Sequence, residues 1–204
     1  RSRVTVVGPP EAAARLLVAV SDALGAPPLG VTVPRGTTTL LPVALQPAGA
    51  DDWDWFWTVD APTRQPGEER VQWLDGVPDD EIKALLVASS PRYSAEPGAP
   101  TVVRWCGIRD TAGGLLATAA HTEHVPGVPH LASIATRADA RGRGLGRAVT
   151  SWLTREVVLS RGWSTLGMYA DNEVARRVYY SLGYREEHHF TSGSPRAVEN
   201  CCDR

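Results

Sequence analysis

The stretch Arg141-Gly142-Arg143-Gly144-Leu145-Gly146-Arg147 decides how this 204-residue chain is read. Glycines at alternate positions let a backbone approach a ligand closely. A helix that begins among them aims unpaired N–H groups and the positive end of its dipole at an anion. With three arginines as counter-charge, the run describes a cradle for pyrophosphate. A dinucleotide fingerprint requires G-x-G-x-x-G, and here the third glycine comes one residue early. A P-loop requires a lysine after its last glycine, and Lys83 is the only lysine in the chain. What remains is R-x-x-G-x-G, from Arg141 to Gly146, against the plainer reading of an Arg/Gly-rich surface loop.

The flanks favour the cradle. Upstream, the apolar run from His130 to Thr136 suits a buried strand. Downstream, Leu145, Ala148, Val149, Trp152, Leu153 and Val157 recur at helical spacing until Gly162 stops them. Ser164 to Ala170 reads as a strand. Asp171-Asn172 then caps a second helix whose Ala175, Val178, Tyr179 and Leu182 share one face, closed by Gly183.

With those residues in order, the chain resembles the GNAT superfamily of acyl-CoA-dependent N-acetyltransferases. Two motifs carry the resemblance: Arg141-x-x-Gly144-x-Gly146, and Asn172-x-x-Ala175-x-x-x-Tyr179-x-x-x-Gly183-Tyr184. It covers roughly residues 102 to 192. The resemblance implies an α/β fold, a mixed and mainly antiparallel central sheet flanked by helices, in a domain spanning 99–204. It implies acetyl-CoA as acyl donor. Ile134, Ala135 and Thr136 would hold pantetheine through main-chain groups, Arg141, Gly142, Arg143, Gly144, Leu145, Gly146 and Arg147 would hold pyrophosphate, and Asn172 would contact the cofactor near its pantetheine end. Tyr179 takes the superfamily's general-acid position, its alternative being a core aromatic.

The implied chemistry is direct attack of a primary amine on an acetyl thioester within a ternary complex. The amine must be neutral. A lysine-like amine is less than about 0.1% neutral at pH 7, an α-amine roughly 10%, so a base matters more for the first kind. Counted back from Arg141, His130 falls where histone-modifying members place a catalytic glutamate, a departure from their pattern. His130 is a candidate base or the closure of a turn after Pro129. Glu123 is the second candidate, with His121 on its face if that stretch is a strand. A backbone N–H freed near Ile134 would serve the tetrahedral oxyanion. A metal reading of His121-Thr-Glu-His124 fails on spelling, since H-E-x-x-H is absent, and no metal site is expected.

Residues 1–98 carry no family motif and read as an α/β region for acceptor binding or dimerisation. Val4 to Val7 reads as a strand, Pro9-Pro10 precede a helix with Ala13, Leu16, Leu17, Val20 and Leu24 on one face, and Gly25 ends it. Val31 to Val33 and Thr37 to Leu45 are strand candidates. Trp53, Trp55 and Trp57 alternate, which in a strand sets three indoles on one face, for packing or for an acceptor pocket. Residues 61 to 70 read as a loop and the weakest point of the chain. Asp79 reads as the cap of a helix containing Ile82, Leu85 and Leu86. Pro91 to Pro100 reads as the linker between halves.

The net charge is only −2, but it is unevenly placed. Residues 51–81 hold ten Asp or Glu against two Arg, a local −8, and residues 137–185 hold nine Arg against four acids, a local +5. The second suits phosphates; the first suits a cationic small molecule or a peptide or protein amine as acceptor, or simply a solvated loop. Three cysteines give neither an even disulfide framework nor a zinc quartet. Cys106 reads as buried filler, Cys201 and Cys202 as a vicinal pair near an exposed end. No run approaches the ~20 apolar residues of a membrane span, so a cytoplasmic protein with no membrane or nucleic-acid partner is expected. A second reading stays open: a fold that binds acyl-CoA without turnover, as a sensor.

Overall fold

A computed structural model describes residues 3–195; Cys201 and Cys202 lie outside them. In chain order the elements are β1 (Arg3–Thr5), α1 (Pro10–Leu24), β2 (Gly30–Pro34), β3 (Pro47–Thr58), β4 (Gln72–Trp73), α2 (Asp79–Ser89), β5 (Val102–Arg109), β6 (Leu115–Thr122), β7 (His130–Thr136), α3 (Leu145–Arg161), β8 (Ser164–Tyr169), α4 (Glu173–Ser181) and β9 (Arg185–Pro195). They form two compact units, and the division does not fall at residue 98. One unit takes residues up to 55, 168–173 and those from 187 on; the other takes 56–167 and 174–186. Residues 56–98 join the second unit because Ile82, Leu85 and Leu86 of α2, together with Ala95, share a core with Trp105, Ala120, Ala132 and Ala135.

In the second unit the strand order is β8-β7-β6-β5-β4, antiparallel except for β7 with β8. Thr122 pairs with His130 and His121 with Leu131, so alternation fixes which residues face α2 and which face α3. Ala120 and Ala132 are opposite each other and sit in the α2 core. Helix α3 has the expected stripe, with Leu145, Ala148, Val149, Leu153 and Val157 buried and Gly162 in the left-handed conformation as its stop. The segment 61–70 is fastened rather than weak. Glu68 is only 5% exposed and ion-paired with Arg155, which also donates to the Pro62 carbonyl, while Ser151 donates to the Thr63 carbonyl. Burial raises the Glu68 pKa, but Arg155, Ser151 and the Gln65 N–H outweigh it and hold the carboxyl below its usual value.

The proposed linker is also fixed, since Ala95 is 2% exposed. Asp79 is the first residue of α2 rather than its cap, a position occupied by Pro78. Cys106 is fully buried and burial pushes its thiol pKa up, in keeping with a filler role.

In the first unit the order is β1-β2-β9-β3, with β1 parallel to β2 and β9 antiparallel to it. Pro10 opens α1 and Gly25, at φ 67°, closes it. Its buried side is Ala13, Ala14, Leu17 and Ser21, whereas Leu16 and Leu24 are about half exposed. Two alanines with no side-chain bulk let this helix lie close on Val31 and Val33. Thr37 to Leu45 is not a strand but two short 3-10 turns, Thr38–Leu40 and Val43–Leu45, with Pro42 between them unable to donate to a ladder. In β3 Pro47, Asp54, Phe56 and Thr58 are buried, and the three tryptophans take the alternate, half-buried face of its second half. Trp53 stacks near Phe190 and donates to Ser192, so it is a packing residue.

Tyr184, the last residue of the second sequence motif, ties α3 to β8. It is 2% exposed, with its hydroxyl 2.8 Å from Thr154 Oγ1 and 2.9 Å from Ser164 Oγ. Thr154 spends its own proton on the Thr150 carbonyl, so Tyr184 donates to Thr154 and accepts from Ser164. Replacing Tyr184 with Phe leaves the buried Ser164 hydroxyl without its acceptor and takes a donor from Thr154. We expect a loss of about 1–2 kcal/mol, read as a fall in Tm of roughly 2–8 °C in calorimetry; an unchanged Tm would show the bridge to be idle.

Candidate functional site

The glycine-rich run becomes the entry to α3. Gly142 and Gly144 have φ of 73° and 76°, left-handed values that favour glycine, and open space lies where a Cβ would stand on either. Gly144 caps α3 with no side-chain hydrogen bond. The Ala148 N–H donates to the Gly144 carbonyl, so the three amides before it, at Leu145, Gly146 and Arg147, have no intrahelical acceptor. Leu145 is buried and serves through its backbone alone. Gly146 packs closely, because a Cβ there would stand 3.1 Å from Thr136 Oγ1. That close approach brings the first turn of α3 against the end of β7, joining the two halves of the site that the sequence placed apart.

The three arginines divide their work. Arg141 donates to the Ser89 carbonyl at the end of α2 (2.7 Å) and to the Thr136 carbonyl (3.4 Å), so its guanidinium fastens the loop. Arg143 is exposed. Arg147 is half-buried, and its buried Nε lacks a hydrogen-bond partner. Uncapped amides, an orphaned guanidinium nitrogen and two glycines over open space fit a pyrophosphate group.

Strand β7 is interrupted just above this cradle. Its parallel ladder with β8 covers His130↔Thr165 and Leu131↔Leu166 and extends no further. On its other edge Ala132 pairs with Ala120 and Ala135 with Thr118, so Ser133 and Ile134 together stand opposite Ala119, a β-bulge. The bulge puts Ala132 and Ala135 in the same α2 core although they are three residues apart. Ile134 and Thr136 are half-buried and Ala135 is buried. Main chain that has left the β8 ladder can bond a ligand on that edge. Sequence reasoning missed Ser133; nothing in its spelling marks a bulge.

The two candidate bases face opposite ways. His130 shares the α2 side with Thr122, whereas His121 lies on the α3 side with Leu131. Glu123, just beyond β6, has Oε1 3.6 Å from His121 Nε2 and 2.8 Å from Arg161 Nη2, the last residue of α3. The Gly127 N–H donates to its other oxygen at 3.3 Å. Burial lowers the His121 pKa, with Glu123 pulling it back up. Glu123 is thus a tie between β6 and α3.

His130 Nδ1 lies 2.8 Å from Thr165 Oγ1, and that hydroxyl donates to the Pro129 carbonyl. A hydroxyl has one proton, so His130 donates from Nδ1 and leaves Nε2 as the unprotonated ring nitrogen. Burial, helped by His124, pushes its pKa down to about 4, and the ring is neutral at physiological pH.

Tyr179 is 6% exposed, with Phe56 and Tyr184 rings at 6.0 and 6.1 Å. Burial raises its pKa above the ordinary value, so the phenol keeps its proton. Tyr180 points elsewhere and bonds Glu186. Asn172 belongs to the other unit, where its N–H donates to the Tyr169 carbonyl.

Much of the acidity of residues 51–81 is spent on partners. Glu68 pairs with Arg155, Asp75 with Arg104, Glu81 with Arg109, and Asp52 and Asp54 with Arg35. Among the described residues no helix is long and apolar enough to cross a membrane.

The comparisons agree with this geometry. Residues 105–191 match the family described as FR47-like protein. Solved structures share the fold: a GNAT-family protein from Novosphingobium aromaticivorans has a TM-score of 0.62 at 24% identity over 84% of this chain and 70% of that one. A GCN5-related N-acetyltransferase from Kribbella flavida has a TM-score of 0.61 at 19% identity over 96% of this chain and 82% of its own. Another from Sphaerobacter thermophilus has a TM-score of 0.56 at 20% identity over 85% and 62%. No curated protein matches in sequence. The fold is that of the GNAT acetyltransferases, and residues 105–191 are similar to the FR47-like family.

Replacing Gly144 with Val forces a β-branched residue into a left-handed cap and fills the open cradle. We expect coenzyme A affinity to fall at least ~10-fold, since about 1–2 kcal/mol is charged to the cap alone. Isothermal titration on the folded variant checks this, and unchanged affinity would move the phosphate site elsewhere.

Proposed function

We propose that this protein is an N-acetyltransferase that carries an acetyl group from acetyl-CoA to a primary amine by direct attack. The observation that supports it best is the uncapped first turn of α3 set against the interrupted strand β7, with Gly146 within contact of Thr136. Such a pairing holds diphosphate at one end and leaves main-chain groups for a thioester along the other. Acetyl-CoA, when bound, supplies the activated acyl carbon.

The residues of this chain then divide the work. The amides of Leu145, Gly146 and Arg147 and the guanidinium of Arg147 bind phosphate. The main chain of Ile134, Ala135 and Thr136 bonds the pantetheine arm, and the Ile134 N–H at the bulge donates to the developing oxyanion. His130 Nε2 takes a proton from the attacking amine, directly or through a water. A pKa near 4 makes it a weak base, so it suits an α-amine better than a lysine-like one. Tyr179 donates a hydrogen bond to the departing sulfur. With a pKa raised above that of a thiol it steadies the thiolate rather than surrendering its proton outright.

Acidity is not the basis for choosing an acceptor, because so many of the carboxylates between 51 and 81 are ion-paired. The acceptor class is a neutral-accessible primary amine on a small molecule, peptide or protein.

The test is release of free CoA thiol from acetyl-CoA over an amine panel. Turnover with α-amines preferred supports the assignment; tight binding with no thiol released from any amine would make the protein an acyl-CoA sensor instead. Tyr179→Phe is expected to lower kcat about 10²-fold with coenzyme A affinity retained.

The pH dependence has a definite sign. A base accepts only when unprotonated, so the contribution of His130 is present above its depressed pKa and lost as pH falls through about 4. We expect kcat with a low-pKa amine to lack a histidine limb near pH 6.5, and His130→Gln to lower it at least ~10-fold across the plateau. A limb near 6.5 that survives in the variant would assign the base to another group.

A further inference from the structure

Ser133 is the only non-glycine residue with a positive φ (50°) among the described residues. It occupies the bulge where β7 sets two residues against Ala119. The left-handed conformation disfavours any residue with a Cβ and suits glycine. A serine at such a position adds one thing that glycine lacks, its hydroxyl. That hydroxyl is fully used: Oγ accepts from the Ser94 N–H at 3.2 Å and the Ala95 N–H at 2.7 Å, and donates to the Ala95 carbonyl at 3.1 Å. One proton and two lone pairs are all engaged.

The partners give the clamp its rigidity. Ala95 is 2% exposed and sits in the α2 core with Ala132 and Ala135, the residues that flank the bulge. The loop 91–100 is therefore fastened to the bulge from both sides, by packing at Ala95 and by three hydrogen bonds at Ser133. A bulge held this way keeps one backbone shape, and the amide of Ile134 follows directly from that shape.

We infer that Ser133 is a positioning residue of the acyl site: by locking onto the Ser94–Ala95 backbone, its hydroxyl holds the β7 bulge so that the Ile134 amide meets the thioester carbonyl. This rests on the acetyl-transfer reading above. Ser133 itself touches no reacting atom and acts through the neighbouring peptide.

Ser133→Gly isolates the hydroxyl, since glycine takes the same φ without strain. With an amine that the unsubstituted protein acetylates, kcat is expected to fall about 10- to 100-fold while the dissociation constant for acetyl-CoA stays within roughly twofold, because misalignment near the chemistry costs rate and the phosphate cradle is untouched. Hydrogen exchange at the Ser94 and Ala95 amides should quicken. Ser133→Ala should lose the same rate and also melt lower, since it keeps the strain without the clamp. Retained kcat in Ser133→Gly with quickened exchange would reduce the clamp to a structural tie and overturn the proposal, as would an acetyl-CoA affinity that falls in step with kcat. Absence of turnover in the unsubstituted protein would be a different failure, removing the acetyl-transfer reading and this proposal with it.

Discussion

The contact between Gly146 and Thr136 is the constraint on which the site depends. A helix whose first amides have no partner inside it must find acceptors outside, and here neither a side-chain cap nor a neighbouring turn supplies them. A residue with no Cβ lets that turn stand against the end of β7 without crowding, since an alanine carbon would come 3.1 Å from Thr136 Oγ1. The donors that suit a diphosphate and the main chain that suits a thioester are thereby placed side by side. Gly142 and Gly144 shape the loop, but Gly146 sets its distance from the sheet.

The second constraint is that β7 is not a regular strand. It leaves β8 after Leu131 and bulges against β6 at Ser133 and Ile134, so its lower half is open on the β8 side and pairs with β6 again only at Ala135 and Thr136. Ladder hydrogen bonds lost at such a place must be recovered or made available for binding. The Ser133 hydroxyl holds the bulge against the Ser94–Ala95 backbone. The upper half is regular and carries His130, whose tautomer is fixed by a chain of single protons running through Thr165 to the Pro129 carbonyl.

Charge behaves differently in the fold than along the chain. Ten acids between residues 51 and 81 read as a field that would draw a cation, yet Glu68, Asp75 and Glu81 each meet an arginine from elsewhere in the same unit. The exposed pairs contribute little to stability. Their effect is to cancel the long-range potential that the local sequence advertises. In contrast Arg143 and Arg147 keep much of their charge for the loop they occupy.

Local rules determined a good deal. The cradle was legible because glycine spacing and a helix start are properties of adjacent residues, and the run from Arg141 to Tyr184 showed both motifs in the right order. Helices α1, α2 and α3 and their glycine or proline boundaries followed from periodicity. Tertiary structure decided the rest. Alternation along a strand cannot say where pairing slips, so the bulge at Ser133 and the opposite facing of His130 and Glu123 waited on the register of β6 with β7. Prolines at 91, 97 and 100 spell a linker, but burial of Ala95 depends on a core drawn from α2 and three strands. The division into units escaped the sequence for the same reason: a chain is read in one dimension, and residues 56–98 take their place from packing against strands that come later.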